Sequence, residues 1–272
     1  MRSSYLDYSG SLAGQTIDIS GVADFLGLAG FNDSPFTRTR LGDPVNAPNI
    51  QIGEEGTNYC DFCMTPLMGG DFERLADGRE RCMRCSETAI STRDQFVALF
   101  MRAKKQMELV FEIDIAVAMQ VSMVNAREIA KGSGETFEAT PGFDGRTLGY
   151  AVKSSAGYSL HVENGAPALA LLGTTIHELT HIWQYINWDR ASIERVYGKD
   201  KTLCVYEGMA TWAQIQYLYS THATAYAQRE EAYTEKRSDE YGVGFRAFRE
   251  KYSMCRDGVL RGKTPFKLTW PL

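Results

Sequence analysis

The sequence predicts an α+β fold that is mostly helical and contains a short β-sheet. Apolar residues recur at steps of three and four between residues 92 and 112, a pattern typical of an amphipathic helix. Between residues 117 and 124, Val and Met alternate with mostly smaller or polar side chains, which favours a strand. A long apolar segment then follows Pro167, a residue type that often begins a helix. These patterns place a strand region between helical ones.

The overall composition argues against several classes of protein. The chain has 272 residues and a net charge of −5, from 29 basic and 34 acidic side chains, which does not suit binding of nucleic acid through a basic surface. No apolar run reaches the roughly 18 residues that a membrane helix needs. Residues 1–7 also lack the apolar core of a secretory signal. We therefore expect a cytoplasmic protein without nucleic-acid or membrane partners.

Changes in composition divide the chain into three segments. Residues 1–57 are rich in Gly, Ser, Asp and Asn and are interrupted by three prolines, so we expect an irregular N-terminal arm. Residues 58–90 contain four of the six cysteines and form a candidate metal-binding module. Residues 91–272 carry the sustained helical and strand patterns, and their length suits one larger domain.

The cysteine segment has the spacing of a zinc-binding module. Its thiols form two close pairs, Cys60 with Cys63 and Cys82 with Cys85. Two such pairs are typical of a tetrahedral thiolate zinc site, and they suit a reducing compartment in which disulfides do not persist. Turn-forming residues between the pairs predict a hairpin, as in a zinc ribbon or half of a LIM-type finger. About 30 residues bury too little apolar surface to fold alone, so we expect a structural zinc ion.

The remaining elements are assigned in chain order. Ser91 or Thr92 should begin the first helix as its N-cap residue. Asp94 in the first turn supports this start, because its charge complements the helix dipole. The later elements are expected to be strands at 117–124, Arg146–Lys153 and Tyr158–Val162, then helices from Pro167 to about Trp188, from Leu203 to about Tyr219, and within 224–256. Most of the second half of the chain is thus predicted to be helical.

The strongest functional motif lies in the helix predicted after Pro167. It reads His177-Glu178-Leu179-Thr180-His181, and residues four apart share one face of a helix, so both imidazoles can reach one metal ion. Zinc takes such ligands in a tetrahedral arrangement and lowers the pKa of a bound water molecule toward 7. Glu178 stands beside both ligands and can take the proton of that water. The motif therefore predicts a catalytic zinc site with Glu178 as general base.

The third zinc ligand distinguishes the subclasses of such peptidases. In metzincins a His follows the first His by ten residues, but position 187 is Asn, which excludes this subclass. In gluzincins the third ligand is a Glu on a following helix, and Glu207 in the sequence Tyr-Glu-Gly-Met-Ala fits this pattern. Asp189 and Glu194 are rivals that lie closer in sequence. We prefer Glu207, because Asp189 is expected about 12 Å beyond His181 along the same helix and Glu194 lies in a segment expected to be solvated.

A hydrolase of this kind also needs a group that donates a hydrogen bond to the charged intermediate. The sequence offers several candidates without ranking them. His161 and Tyr158 lie on the strand predicted before the motif helix, where a strand can line a cleft and pair with substrate backbone. The other candidates are Tyr206, Tyr217, Tyr219 and His222. His222 follows Glu207 by about 22 Å if the helix is continuous, which is too far to act at the metal.

Several motifs together resemble the DA1-like proteins. They are His177–His181 followed by Trp183, the upstream Gly165-Ala166-Pro167, and the downstream Glu207-Gly208-x-Ala210-x-Trp212. The cysteine segment precedes them in the same order as in that family, so the resemblance covers roughly residues 58–272. It implies a LIM-type zinc module followed by a gluzincin-like metallopeptidase that cleaves selected proteins.

The sequence thus predicts an N-terminal arm, a four-cysteine zinc module and a mostly helical, minimal gluzincin-like peptidase with a short sheet. We expect one catalytic zinc ion held by His177, His181 and Glu207, one structural zinc ion, and protein or peptide substrates. The alternative is a zinc-stabilised adaptor that binds proteins through an inactive or very slow peptidase-like domain. Glu178 argues against the adaptor, because a scaffold has no need of a general base.

Overall fold

The fold is seen in a computed structural model that describes residues 5–6, 60–62, 67, 70, 72–137, 139 and 147–268. Over these residues the chain is α+β and mostly helical, which confirms the predicted class. The strands are β1 (Tyr5–Leu6), β2 (Phe72–Arg74), β3 (Glu80–Cys82), β4 (Met119–Val124), β5 (Gly149–Ser154) and β6 (Gly157–Glu163). The helices are α1 (Met83–Glu87), α2 (Arg93–Phe111), α3 (Ala126–Ser133), α4 (Ala168–Asn187), α5 (Arg190–Tyr197), α6 (Lys199–Ser220), α7 (Thr224–Lys236) and α8 (Glu240–Lys251).

Four strands form one sheet in the order β1–β4–β6–β5. The central strands β4 and β6 run parallel, with Val121 opposite Leu160. Strands β1 and β5 pair antiparallel with β4 and β6, respectively. The turn between β5 and β6 needs Gly157, whose φ of 113° is rarely adopted by residues with a side chain. Within the described residues β5 is an edge of the sheet, beside α4.

The N-terminal arm is described at only two positions. Tyr5–Leu6 forms β1 and pairs with Met119 and Gln120 at the start of β4. The predicted irregular course of the rest of residues 1–57 lies outside the described residues. The cysteine segment, by contrast, contains the predicted hairpin, since β2 pairs antiparallel with β3.

Helix α4 lies at the centre of the fold, in contact with α2, α6 and the sheet. Pro167 is its N-cap residue, and every residue from Ala168 to Gln184 is buried. A helix that is covered on all sides is expected to be largely apolar, which explains the long apolar segment seen in the sequence. Its buried Thr175 and Thr180 donate their hydroxyl hydrogens to carbonyl groups one turn earlier. No helix in the described part of the chain is long and apolar enough to cross a membrane.

Helices α6 and α8 touch through their backbones. A Cβ atom added to Gly208 would collide with the backbone of Gly244, and one added to Gly244 would collide with the carbonyl oxygen of Cys204. Glycine at both positions is therefore required for this separation of the helices. Gly208 thus allows close helix packing, and the helix it contacts is α8.

The cysteine segment is joined to the loop that leads into α4. The guanidinium group of Arg79 pairs with Glu163, and both side chains are almost fully buried, at 2% and 1% exposure. Arg79 also donates to the backbone and side-chain oxygens of Asn164, at 2.9 Å each. Arg81 donates to the carbonyl oxygen of Gly165 at 2.6 Å. These contacts fix the segment 163–165 immediately before α4 begins.

Candidate metal centres

Three predicted ligands converge at the contact between α4 and α6. His177 and His181 lie one turn apart on α4, and their Nε2 atoms are 3.1 Å apart. Glu207 on α6 places its Oε2 atom 3.0 Å from Nε2 of His177 and 3.4 Å from Nε2 of His181. Ligands about 2.0–2.1 Å from a tetrahedral zinc ion are separated by about 3.3 Å. The three atoms therefore have the spacing of a zinc-binding triad.

The charges in this triad favour an anionic Glu207. Burial lowers the pKa of His181, but the adjacent Glu207 carboxylate outweighs that effect and raises the pKa to about 9. Burial likewise acts to raise the pKa of Glu207, yet the neighbouring His181 and His177 hold it well below its usual range. Glu207 is thus kept as a carboxylate, the form that binds a metal ion.

Glu178 is buried beside the triad and against strand β5. Burial raises the pKa of Glu178, although the two histidines oppose this shift. Its carboxylate accepts a hydrogen bond from the backbone of Ala151 on β5. The close contact requires Gly149, where an added Cβ atom would lie 3.3 Å from Cγ of Glu178 and 2.7 Å from Cγ2 of Thr174. A fixed carboxyl group with a raised pKa is suited to general acid–base chemistry.

Gln184 connects the two helices that carry the ligands. Its Nε2 amide donates to the carbonyl oxygen of Tyr206 at 3.0 Å, which leaves Oε1 to accept from Nδ1 of His181 at 2.8 Å. Because Gln184 accepts from Nδ1, Nε2 is the nitrogen of His181 that would lose its proton and bind a metal ion. No pattern in the sequence indicated this role for Gln184. Gln184 therefore orients one imidazole and also aligns α6 against α4.

The two rival ligands are engaged elsewhere. The expectation that Asp189 continues the motif helix was wrong, because α4 ends at Asn187 and Asp189 is the N-cap of α5. Its carboxylate accepts hydrogen bonds from the amides of Ala191 and Ser192. Glu194 pairs with Arg190 at 2.8 Å. Both carboxylates have local structural roles, whereas Glu207 lies beside the histidines.

The candidates on strand β6 do not both face the motif helix. Leu160 and Val162 are buried in the core, and alternate residues of a strand point to opposite faces, so His161 faces away from α4. Its Nδ1 atom lies 2.6 Å from Oγ of Ser122, and its ring stacks on Tyr150. Tyr158 is on the same face as Leu160 and packs against the core. The structure thus separates His161 from the triad.

The candidates on α6 and beyond it have other partners or lie too far away. The hydroxyl groups of Tyr217 and Tyr219 donate to Gln106 and Glu231, at 2.8 and 2.7 Å. The ring of Tyr206 packs against Trp188, with the ring centroids 5.3 Å apart. His222 follows the end of α6, about 20 Å from Glu207 at 1.5 Å per residue. Tyr217, Tyr219 and His222 are therefore not placed to donate to a group at the triad.

Two other tyrosines lie at the triad. Tyr185 stacks on His181 with ring centroids 6.3 Å apart, and Tyr241 stacks on His177 with ring centroids 5.8 Å apart. The sequence carried a signal for Tyr185, because it follows His181 by four residues and so shares its helix face. It carried none for Tyr241, which reaches the triad only because α8 packs against α6.

The cysteine segment brings three of its four predicted ligands together. The Sγ atoms of Cys60, Cys82 and Cys85 lie within 4.8 Å of one another. Cys60 and Cys85 are buried, and the amide of Cys82 donates to Sγ of Cys60 at 3.4 Å. In a tetrahedral thiolate zinc site the sulfurs are about 3.8 Å apart, so this cluster is compatible with such a site. The predicted fourth ligand, Cys63, lies outside the described residues.

Comparisons with known proteins do not assign this chain to a family. No family model matches it, and neither the search of curated proteins nor the search of solved structures found a match. The resemblance to the DA1-like proteins therefore depends on the motifs in the chain itself. Any assignment of function has to come from the geometry and chemistry of the two clusters.

Proposed function

We propose that the protein is a zinc-dependent, gluzincin-like endopeptidase that cleaves protein substrates. The observation that carries this proposal is the triad of buried His177 and His181 with half-buried Glu207, and the buried Glu178 directly beside it. These three ligands would hold the catalytic zinc ion and leave a fourth position open, as hydrolysis requires. The resemblance to DA1-like peptidases supports the same assignment, and the thiol pairs favour a cytoplasmic location.

The chemistry follows from the positions of these groups. A zinc ion held by the triad would polarise the peptide carbonyl and make a water molecule more acidic. Glu178 takes the proton that this water loses as its oxygen attacks the carbonyl carbon. It then delivers a proton to the amine nitrogen as the C–N bond breaks. The raised pKa of Glu178 supports this role, because the group has to hold a proton between the two steps.

Strand β5 supports a peptide as the substrate. It lies at an edge of the sheet within the described residues and contacts Glu178 through Gly149 and Ala151. An extended peptide can add to such an edge as a further strand through main-chain hydrogen bonds. Binding there would place a substrate backbone next to the general base.

For the cysteine cluster we propose a structural zinc ion bound by Cys60, Cys63, Cys82 and Cys85. Four thiolates would fill the coordination shell, so this site would have no open position for substrate. The alternative, an adaptor with an inactive peptidase-like domain, does not account for a buried carboxylate held beside two histidines. Burying a carboxyl group costs folding free energy, and an inactive scaffold gains nothing from that cost.

Gln184 should determine how tightly the triad binds zinc. Gln184→Met keeps the side-chain size but loses both hydrogen bonds, so we expect the zinc dissociation constant to rise about 10- to 100-fold. Competition with a zinc-binding dye measures this constant. Gln216→Met is a matched control, because Gln216 is also fully buried and hydrogen-bonds the backbone of Cys255. Equal zinc affinities in the two variants would show that Gln184 contributes only to folding stability.

The proposed activity can be tested on a mixture of unfolded proteins. The purified protein should create new N-termini, which mass spectrometry identifies, and a chelator should suppress them until zinc is restored. Protein carrying Glu178→Gln serves as the matched control and should create no new termini. If the wild-type protein loaded with zinc creates no more termini than this control, the peptidase proposal is wrong.

A further inference from the structure

Tyr241 brings a phenol group to the triad from outside the ligand helices. Its ring lies against that of His177, with an angle of 27° between the ring planes. Its hydroxyl group has no hydrogen-bond partner among the described residues, and the side chain is only half-buried. The carboxylates of Glu207 and Glu178 are near enough to affect its ionisation. The hydroxyl group of Tyr241 thus lies near the two carboxylates of the site and can still bind a ligand.

The position of Tyr241 is set by three contacts. Tyr241 and Gly244 lie three residues apart on one face of α8, so the contact of Gly244 with Gly208 turns Tyr241 toward the part of α6 that carries Glu207. The guanidinium group of Arg237 lies 4.5 Å from the ring centroid of Tyr241. Asp239 in turn holds Arg237 at 2.6 Å and caps α8 by accepting from the amide of Gly242. The ring of Tyr241 is therefore positioned by Arg237 and by the packing of α8 against α6.

The other tyrosine at the triad is oriented differently. The hydroxyl oxygen of Tyr185 lies 3.5 Å from the carbonyl oxygen of Ala151, so its hydrogen is directed toward β5. The Tyr185 hydroxyl therefore lies on the side of the site where Glu178 also contacts Ala151. Tyr241 extends from α8 and stacks on His177, and its hydroxyl hydrogen can be donated to a substrate. The two phenols are not equivalent.

We propose that Tyr241 is a catalytic residue whose hydroxyl donates a hydrogen bond to the carbonyl oxygen of the scissile peptide as that oxygen becomes negatively charged. This inference rests on the proposed peptidase function. An ordinary phenol has a pKa of about 10, so the hydroxyl keeps its proton at neutral pH. A neutral donor that is already in place is what stabilises a developing oxyanion.

Hydrolysis of the peptide bond needs no reactant other than water. Water loses a proton to Glu178, its oxygen bonds to the carbonyl carbon, and the π electrons of the C=O bond move to the carbonyl oxygen, which accepts the hydrogen bond from Tyr241. When the C=O bond forms again, the C–N bond breaks and the nitrogen takes the proton from Glu178. Tyr241 keeps its own proton throughout, so it affects the barrier and is not consumed.

The test compares Tyr241→Phe with the wild-type protein in the cleavage of a fluorogenic peptide. The peptide has the sequence of a substrate site that the wild-type protein cleaves. Loss of one oxyanion donor should lower kcat by about 100- to 1,000-fold and leave KM nearly unchanged. A phosphinic peptide of the same sequence, which imitates the tetrahedral intermediate, should bind more weakly by a similar factor. Zinc content should not change, because the triad is intact. Tyr197→Phe, at an exposed tyrosine on α5, is the matched control and should match the wild type.

The outcomes separate this inference from the proposed function. If the wild-type protein cleaves the peptide and Tyr241→Phe retains its kcat and its affinity for the phosphinic peptide, Tyr241 is not the donor and the peptidase assignment stands. If Tyr185→Phe shows both losses instead, the donor is Tyr185 and the inference is wrong. If the wild-type protein cleaves no peptide, both proposals fail.

Discussion

Glu178→Gln should lower peptide hydrolysis by about 100- to 10,000-fold while zinc binding and fold persist. The amide has nearly the same shape as the carboxyl group but cannot accept a proton. Its oxygen can still accept the hydrogen bond from Ala151, so the packing against β5 is preserved. Burial disfavours the charged form of Glu178, so a neutral side chain should not lower the thermal stability. Activity, zinc content and melting temperature of the two proteins measure these effects.

Two results would contradict this mechanism. If Glu178→Gln retained near-wild-type, chelator-sensitive activity, another group would have to act as the base. If the variant lost its zinc together with its activity, Glu178 would be acting through metal binding instead. Titrating the variant with zinc before the assay distinguishes these two results.

Glu207→Ala should remove most of the zinc affinity of the triad. The substitution deletes one of three protein ligands and the negative charge opposite the two histidines. Loss of an outer-shell partner typically weakens metal binding 10- to 100-fold, so loss of a direct ligand should exceed about 100-fold. Asp189→Ala and Glu194→Ala are the controls, because these carboxylates cap α5 and pair with Arg190. Asp189→Ala should cost about 1 kcal/mol of folding stability without affecting zinc binding.

Measured zinc dissociation constants for the three variants decide the assignment of the third ligand. Wild-type affinity in Glu207→Ala together with a loss in Asp189→Ala or Glu194→Ala would overturn it. The gluzincin-like label would then fail as well, because it depends on a glutamate from the following helix. A crystal structure with bound zinc would give the same answer through the metal–oxygen distances.

Local sequence spacing was sufficient to predict part of the site. His177 and His181 share a helix face because they are four residues apart, and no other part of the chain affects that relation. Glu207 was also predicted, because it fits the gluzincin pattern of a Glu on a following helix. Tyr241 was not, because its place depends on the contact between Gly208 and Gly244, which are 36 residues apart. Sequence periodicity does not show which helices touch.

The limits of the fold prediction have a similar cause. The long elements were predicted, including α2, whose N-cap is Thr92, one of the two starting residues that the sequence offered. The short helices α3 and α5 were missed. Each has only eight residues, so neither presents enough turns for an apolar period, and their main signals are the caps Asn125 and Asp189. The segment 224–256 was predicted as helical but contains two helices, which separate at Arg237.

The buried pair of Arg79 and Glu163 has a consequence for the order in which the chain folds. The two residues are 84 positions apart, and translation proceeds at about 5–20 residues per second, so Arg79 is made several seconds before its partner exists. Until then its guanidinium group can pair with the nearby Asp77 but not with Glu163, and complete burial with one partner missing would be unfavourable. The cysteine hairpin can therefore gather its thiols early, but it completes its packing only when the end of β6 has been synthesised. The two segments that look separable in the sequence finish folding as one unit.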